Sequence, residues 1–471
     1  MTTTNWFEEI VKQKDQLIAD TQDFLKIKSI LDEEQSTEKA PLGVGIDQAL
    51  RYLLDKGEMD GFTTKNLDGL AGHIEMGQGD ELIGILCHVD VVPEGDGWTS
   101  DPYSAEIRDG KIFARGAIDD KGPTMAAYYA MKLVKELNLP LSKRVRLIIG
   151  TDEESDWRCV DHYFKHEEMP TMGFAPDADF PIIYAEKGIA DFDLVQTNHT
   201  ESSDAEFILV SIQSGRRYNM VPDFAEAQIQ IKGDPDTFIK QYENYLTEHS
   251  LVGKGKTNEN GSCVLQVEGK SAHGMEPKLG VNAGLRLIDF LTDIEVDQQG
   301  REFIRFVSAY FSKDSRGENL GVDFSDDITG DLTINVGKIN YSKELGGSLG
   351  LNLRYPVTND INETKQIIES TCHKHAMELR NFSDSSPHHV DKEHVLVKTL
   401  QKVYEEQTEE RAELLSIGGG TYARSLEHGV AFGPLFPGRE DIAHQKDEYI
   451  IIEDLVKATA IYAQAIYELA K

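Results

Sequence analysis

LIGILCHVD at residues 82–90 and VRLIIGTDEE at 145–154 decide how this chain folds. Each is a near-continuous apolar run that ends in polar residues. Runs of that form suit strands buried on both faces of a parallel sheet. Between them lies PTMAAYYAMKLVKEL (123–137), a helical pattern with Pro123 near its start. Strand, helix and strand in that order argue for an α/β sheet. In such sheets ligands bind outside the carboxyl ends of the strands, where His88, Asp90, Glu153 and Glu154 fall.

Upstream, Trp6, Ile10, Leu17, Phe24 and Leu25 recur at helical spacing, and a second helix is expected near Asp47 to Lys56. After about Tyr184 the texture changes. FILVSIQSG (207–215), AEAQIQIKG (225–233), SCVLQVEGK (262–270) and GGSLGLNLRYP (346–356) have period-2 character, and helices such as NAGLRLIDFLTDI (282–294) interleave with them. Two further helices, at 394–408 and 453–470, flank IGGGTYARS and His444. The simplest organisation is a discontinuous catalytic domain, 1–185 and 384–471, with a mixed, mostly parallel sheet flanked by helices. An α+β lid domain, 186–383, is inserted, with room for two small α+β subdomains.

Composition narrows the function classes. The chain has 471 residues, which implies more than one domain. Lys plus Arg is 48 against 82 for Asp plus Glu, a formal charge of -34. That field repels a phosphate backbone and anionic membranes, so neither nucleic acid nor membrane is an expected partner. The four cysteines are widely separated and form no C-x-x-C pair. A reducing cytoplasm fits that usage, as does an N-terminus without a basic region followed by an apolar one.

The chemistry lies in an ordered series of acids and imidazoles. His88 and Asp90 stand in HVDVVP, Asp119 and Asp120 in RGAIDDKG, Glu153 and Glu154 in GTDEES, Asp177 in FAPDAD, and His444 in AHQKDEY. Imidazole and carboxylate are ligands for borderline divalent metals such as zinc or manganese. The set is large enough for two metal ions plus a spare carboxylate acting as base, which points to metal-assisted hydrolysis. Each piece has a plainer reading: a capped loop at His88, a helix N-cap at Asp119–Asp120, a solvated loop at Glu153–Glu154. Adjacent acids at a buried strand end resist that reading, because like charges there need a cation or a shifted pKa. His388, His389 and His394 sit in a polar return segment and read as solvated. Cys87 points away from His88 along the strand and reads as structural.

Taken in order, the motifs resemble the co-catalytic metallopeptidase family that includes aminoacylases, glutamate carboxypeptidases and succinyl-diaminopimelate desuccinylases. HVDVVP, RGAIDDKGP, GTDEESDW, FAPDADFP, YNMVP, SAHG, LNLRYP, IGGGTYAR and AHQKDEY resemble its PepV-type dipeptidases most closely, over essentially the whole chain. The resemblance implies two divalent metal ions per chain, zinc first, with manganese or cobalt as alternatives. Asp119 would bridge them, His88 and Asp177 would complete one site, and Glu154 and His444 the other. Glu153 would be general base to a metal-bridging hydroxide, Asp90 would hold His88, and His273 in SAHG would stabilise the oxyanion. Asn219, Arg354, Gly418, Gly419, Gly420 and Thr421 would bind substrate. The expected activity is hydrolysis of short unblocked peptides, chiefly dipeptides, by a monomer. The alternatives are deacylation of N-acyl amino acids, or a silent metal- or peptide-binding protein, which would have no use for Glu153. A cis peptide between Asp119 and Asp120 is implied as well.

Overall fold

The computed structural model describes residues 4–198 and 205–471. The chain divides into two compact units, one of residues 1–185, 389–416 and 421–471, the other of residues 186–388 and 417–420. The return to the first unit thus falls at 389, where the sequence suggested 384. Asp384 and Ser385 still belong to the strand Met377–Ser385, which pairs with Gly188–Gln196.

The first unit is built on a mixed sheet. Arg144–Gly150, Leu82–His88, Met172–Ala175 and Gly429–Ala431 run side by side in parallel. Ala71–Gly77 and Thr63–Leu67 extend it in antiparallel fashion on one side. Leu82–His88 is buried at every position, as a strand covered on both faces must be. The helices Lys121–Glu136 and Ile452–Ala470 pack on each other and on these central strands. Both are buried along most of their length and mostly apolar. The N-terminal helical pattern is split in two, Trp6–Val11 and Lys14–Leu25, and the first is capped by Asn5, whose side chain accepts from Glu8 N–H.

The second unit is an eight-stranded antiparallel sheet with helices. Its two four-stranded halves meet where Ser211–Ser214 pairs with Ile339–Ser342, so one sheet and one core serve the whole unit. Burial along Gly188–Gln196 alternates strictly, one face inward and one outward. The edge strand Gly253–Thr257 carries Lys254 and Lys256 and is largely exposed, which discourages pairing with another chain. Among the described residues no helix is long and apolar enough to cross a membrane.

Candidate active site

The carboxyl ends of the parallel strands bring the expected ligands of the first unit together. His88 ends one strand, the turn after Gly150 carries Glu153 and Glu154, and Asp177 follows Ala175. Asp119 and His444 come from loops. One oxygen of Asp119 lies 3.1 Å from His88 Nε2 and the other 3.0 Å from His444 Nε2. Asp177 Oδ2 is 3.8 Å from His88 Nε2, and Glu154 Oε1 is 2.9 Å from His444 Nε2. Donor atoms of His88, Asp119 and Asp177 form one tight group, and those of Asp119, Glu154 and His444 another; Glu153 groups with His88 and Glu154. The peptide bond between Asp119 and Asp120 is cis.

Asp90 does more than the sequence suggested. His88 Nδ1 is 3.0 Å from the Asp90 carbonyl and 3.4 Å from its carboxylate. With Nδ1 donating there, Nε2 keeps its lone pair for a cation. The same carboxylate accepts from the backbone N–H groups of Glu153 (3.2 Å) and Glu154 (3.0 Å), so Asp90 ties two strand ends together. Asp120 does not cap its own helix. Its carboxylate accepts from His88 N–H at 3.1 Å and from the Thr124 hydroxyl at 3.0 Å.

The electrostatics of this cluster are those of a cation site. Four carboxylates face two imidazoles, and among the described residues none of the four has a Lys or Arg partner. Burial drives the Glu153 carboxyl well above the usual carboxylate range, and the charges of Asp177 and Glu154 push the same way. Burial, then the charge of Asp119, raises Glu154 to about 7 and Asp177 to about 6. Hydrogen bonds to Asp119 and Glu154 raise His444 to about 11. Burial opposes charge on His88, but its contacts with Asp119, Asp177 and Asp90 outweigh it and raise the imidazole well above its ordinary value. Protons on these groups stand where divalent cations would relieve the same repulsion. The oxygen and imidazole donors suit zinc or manganese, so the residues fit a metal.

The expected substrate residues lie mostly in the second unit. Met220 and His273 form a β-bridge, and Gly274 N–H donates to the Asn219 carbonyl at 2.7 Å, which sets Asn219 beside His273. His273 Nδ1 accepts from Met275 N–H at 3.1 Å, leaving its proton on Nε2. Burial and the charge of Arg354 lower its pKa, so it is a neutral donor. Arg354 is buried and donates to Asn352 Oδ1 at 2.8 Å and to the Gly418 carbonyl at 3.0 Å. Gly418–Gly420 belong to the second unit, whereas Thr421 belongs to the first, where its hydroxyl accepts from Ala423 N–H.

A model of the peptidase family M20/M25/M40 matches residues 84–468. The chain belongs to this family. A Bacillus subtilis (strain 168) protein named "Putative dipeptidase YtjP" is 58% identical over 467 residues, 99% of this chain and 100% of that one. A Staphylococcus epidermidis (strain ATCC 12228 / FDA PCI 1200) protein named "Putative dipeptidase" is 47% identical over 465 residues, 98% of this chain and 99% of that one. The aminoacylhistidine dipeptidase from Vibrio alginolyticus has the same fold, with a TM-score of 0.58 at 14% identity over 96% of this chain and 97% of that one.

Other residues that shape the site of this M20 peptidase carried no signal in the sequence. Asn335, 1% exposed, donates to the carbonyls of Tyr218 and Met220 and so supports the Asn219 turn from beneath. Asn352, which holds Arg354, is itself held by Asp191 at 2.7 Å. Arg115 and Glu448 lie inside quoted motifs without an assigned role. The histidines at 388, 389 and 394 join no metal-type group among the described residues; His394 caps the helix Val395–Thr408 and stacks on His428. All four cysteines are free and buried.

Proposed function

We propose that this chain is a dinuclear metal-dependent dipeptidase acting on short unblocked peptides. The observation that carries the reading is the Asp119 carboxylate, which has one oxygen toward His88 and the other toward His444. A carboxylate so divided suits two cations, one with His88 and Asp177, the other with Glu154 and His444. Zinc fits the mixed nitrogen and oxygen donors, with manganese or cobalt as alternatives. Bound there, the metals supply Lewis acidity that polarises the scissile carbonyl and makes water a nucleophile near neutral pH.

The side chains divide the remaining work. Glu153, with no ion-pair partner among the described residues, takes a proton from the attacking water and delivers it to the leaving amine. Its environment keeps the protonated form accessible, which the second transfer needs. Asp90 orients His88 and the Glu153–Glu154 turn. The Nε2–H of His273 is assigned to the developing oxyanion, with Asn219 beside it. Arg354 offers a guanidinium to the peptide carboxylate, and Gly418, Gly419, Gly420 and Thr421 complete the substrate contacts. Dipeptide preference is supported by the names of relatives matched along nearly the whole chain. We place the enzyme in the cytoplasm as a monomer.

Glu153→Gln and Glu154→Gln together test the reading. Glu153→Gln should lose turnover of unblocked dipeptides while keeping its metal; Glu154→Gln should lose metal. The reverse pattern in metal analysis would exchange the two roles. Faster hydrolysis of N-acetylated amino acids than of dipeptides by the wild type would make the enzyme a deacylase.

A further inference from the structure

Arg115 and Glu448 form a buried ion pair that none of the proposed steps uses. Their side chains are 1% and 0% exposed, and Arg115 Nη1 lies 2.5 Å from Glu448 Oε2. Such a pair is weak evidence for stability, because desolvating two charges offsets most of their attraction. What distinguishes this pair is the backbone it holds. Glu448 Oε2 also accepts from Gly116 N–H at 3.2 Å, and Oε1 accepts from Ile118 N–H at 2.9 Å and Asp119 N–H at 3.3 Å. One carboxylate therefore gathers the whole turn that ends on Asp119. Gly116 stands in that turn at φ +84°, and a Cβ there would come within 2.7 Å of Val91 Cγ1, so the turn requires glycine.

Arg115 reaches the other way. Its Nη2 donates to the carbonyls of His444 and Glu94, both at 3.3 Å, and more weakly to that of Pro93 at 3.5 Å. Pro93 and Glu94 continue the loop that begins at His88 and Asp90. His444 has φ +64°, in the left-handed region, which only a few per cent of non-glycine residues adopt and which its surroundings must maintain. The carbonyl that Arg115 takes is the one on that residue. Glu448 is in turn fixed in register, because its carbonyl accepts from Ala114 N–H at 3.0 Å and Tyr449–Ile451 pairs with Lys111–Phe113. One ion pair thus touches the loops of His88, Asp119 and His444.

We propose that the Arg115–Glu448 pair positions Asp119 and His444 relative to each other, and so sets the affinity of the metal position formed by Asp119, Glu154 and His444. Both are positioning residues that act through those ligands. The inference rests on the ligand assignment made above. The position formed with His88 and Asp177 shares only Asp119, and His88 itself is held by Asp90 and Asp120, so loosening the pair weakens the two positions unequally.

Metal-free wild type, Glu448→Gln, Arg115→Lys and His444→Ala are titrated with Co²⁺, read by its absorption spectrum, and with Zn²⁺ by calorimetry. Thermal melting of each metal-free protein is measured alongside. Glu448→Gln and Arg115→Lys should weaken one of two binding events on the order of 10–100-fold and the other by much less, and His444→Ala should weaken the same event. Arg115→Lys keeps the charge but cannot span a carboxylate and several carbonyls, so it decides the matter alone if Glu448→Gln does not fold. Two wild-type affinities in Arg115→Lys would overturn the inference, even if its melting temperature fell, since the pair would then be a structural brace. Equal weakening of both events would overturn it too. If His444→Ala binds both metals like the wild type, the ligand assignment fails and the inference falls with it; if only His444→Ala is impaired, the inference fails alone.

Discussion

Leu82–His88 and Gly346–Tyr355 are both interior strands, and they place functional groups by opposite rules. The first is covered on both faces and apolar up to its last residue, so its polar groups fall at and just past its end, at His88 and Asp90. The second belongs to an antiparallel sheet. Leu349, Leu351, Leu353 and Tyr355 enter the core of the second unit, while Asn352 and Arg354 lie between them on the other face. A parallel sheet concentrates chemistry along one line of strand ends. An antiparallel sheet can carry it in mid-strand, on any residue of its outer face. The difference extends to charge. The acids at the strand ends repel one another and are pushed up in pKa; His273 and Arg354 are held by backbone and amide partners.

Metal removal tests that division hardest. Chelation should lower dipeptide hydrolysis by about 10³-fold or more, and Zn²⁺, Mn²⁺ or Co²⁺ should restore it. Activity that survives complete metal removal would break the comparison, because the strand-end acids would then not be a metal site. Next comes His273→Ala, expected to reduce kcat by about 10²–10³-fold, the usual cost of one oxyanion donor. Its metal content should equal that of the wild type, whereas His88→Ala should lose metal. Metal loss in His273→Ala would mean the second unit also serves the cations.

Arg354→Lys keeps the charge and removes the fork that grips Asn352 and Gly418. KM should rise roughly 10–100-fold, the scale of a lost charged hydrogen bond, with a smaller change in kcat. A kcat effect as large as that of His273→Ala would place Arg354 in the chemistry rather than in binding.

The smallest effect concerns a buried imidazole away from the strand ends. His73 lies on Ala71–Gly77 and shares a hydrogen bond with the Tyr163 hydroxyl at 3.0 Å. Burial, reinforced by the charge of Arg146, lowers its pKa from 6.5 to about 4. A depressed imidazole favours the neutral folded form. Its contribution is complete above pH 6.5 and is lost as pH falls toward 4, at no more than about 1.4 kcal/mol per pH unit. The melting temperature of the metal-free protein should fall across that window, and His73→Gln should flatten the slope. An unchanged slope in the variant would show that another group carries the acid sensitivity.

The two units also differ in how far they can be read without coordinates. Periodicity located the buried strands, the helix at 121–136 and the closing helix, because apolar spacing is local information. It ran the first helix through Lys12 and Gln13, where the helix breaks, and the polar turn in composition placed the return to the first unit at 384, because β-pairing rather than composition decides where a strand stops. The strand-end acids stood out since adjacent charges beside a buried run are costly without a cation. His273, Asn219 and Arg354 had no such local signature, and only their motif context singled them out.

What the sequence alone determined is therefore the set of groups and their order: an α/β frame, a series of ligand-type residues at its turns, and family membership through the motifs. The tertiary structure decided how those groups are shared. It divided the Asp119 carboxylate between His88 and His444, joined the Glu153–Glu154 turn to Asp90, and set Arg115 and Glu448 among three loops, one of them more than three hundred residues along the chain from the other two. Contacts at that separation depend on how the whole unit closes. No local rule of spacing or propensity contains them, because each partner is ordinary until the fold brings the other within hydrogen-bond reach.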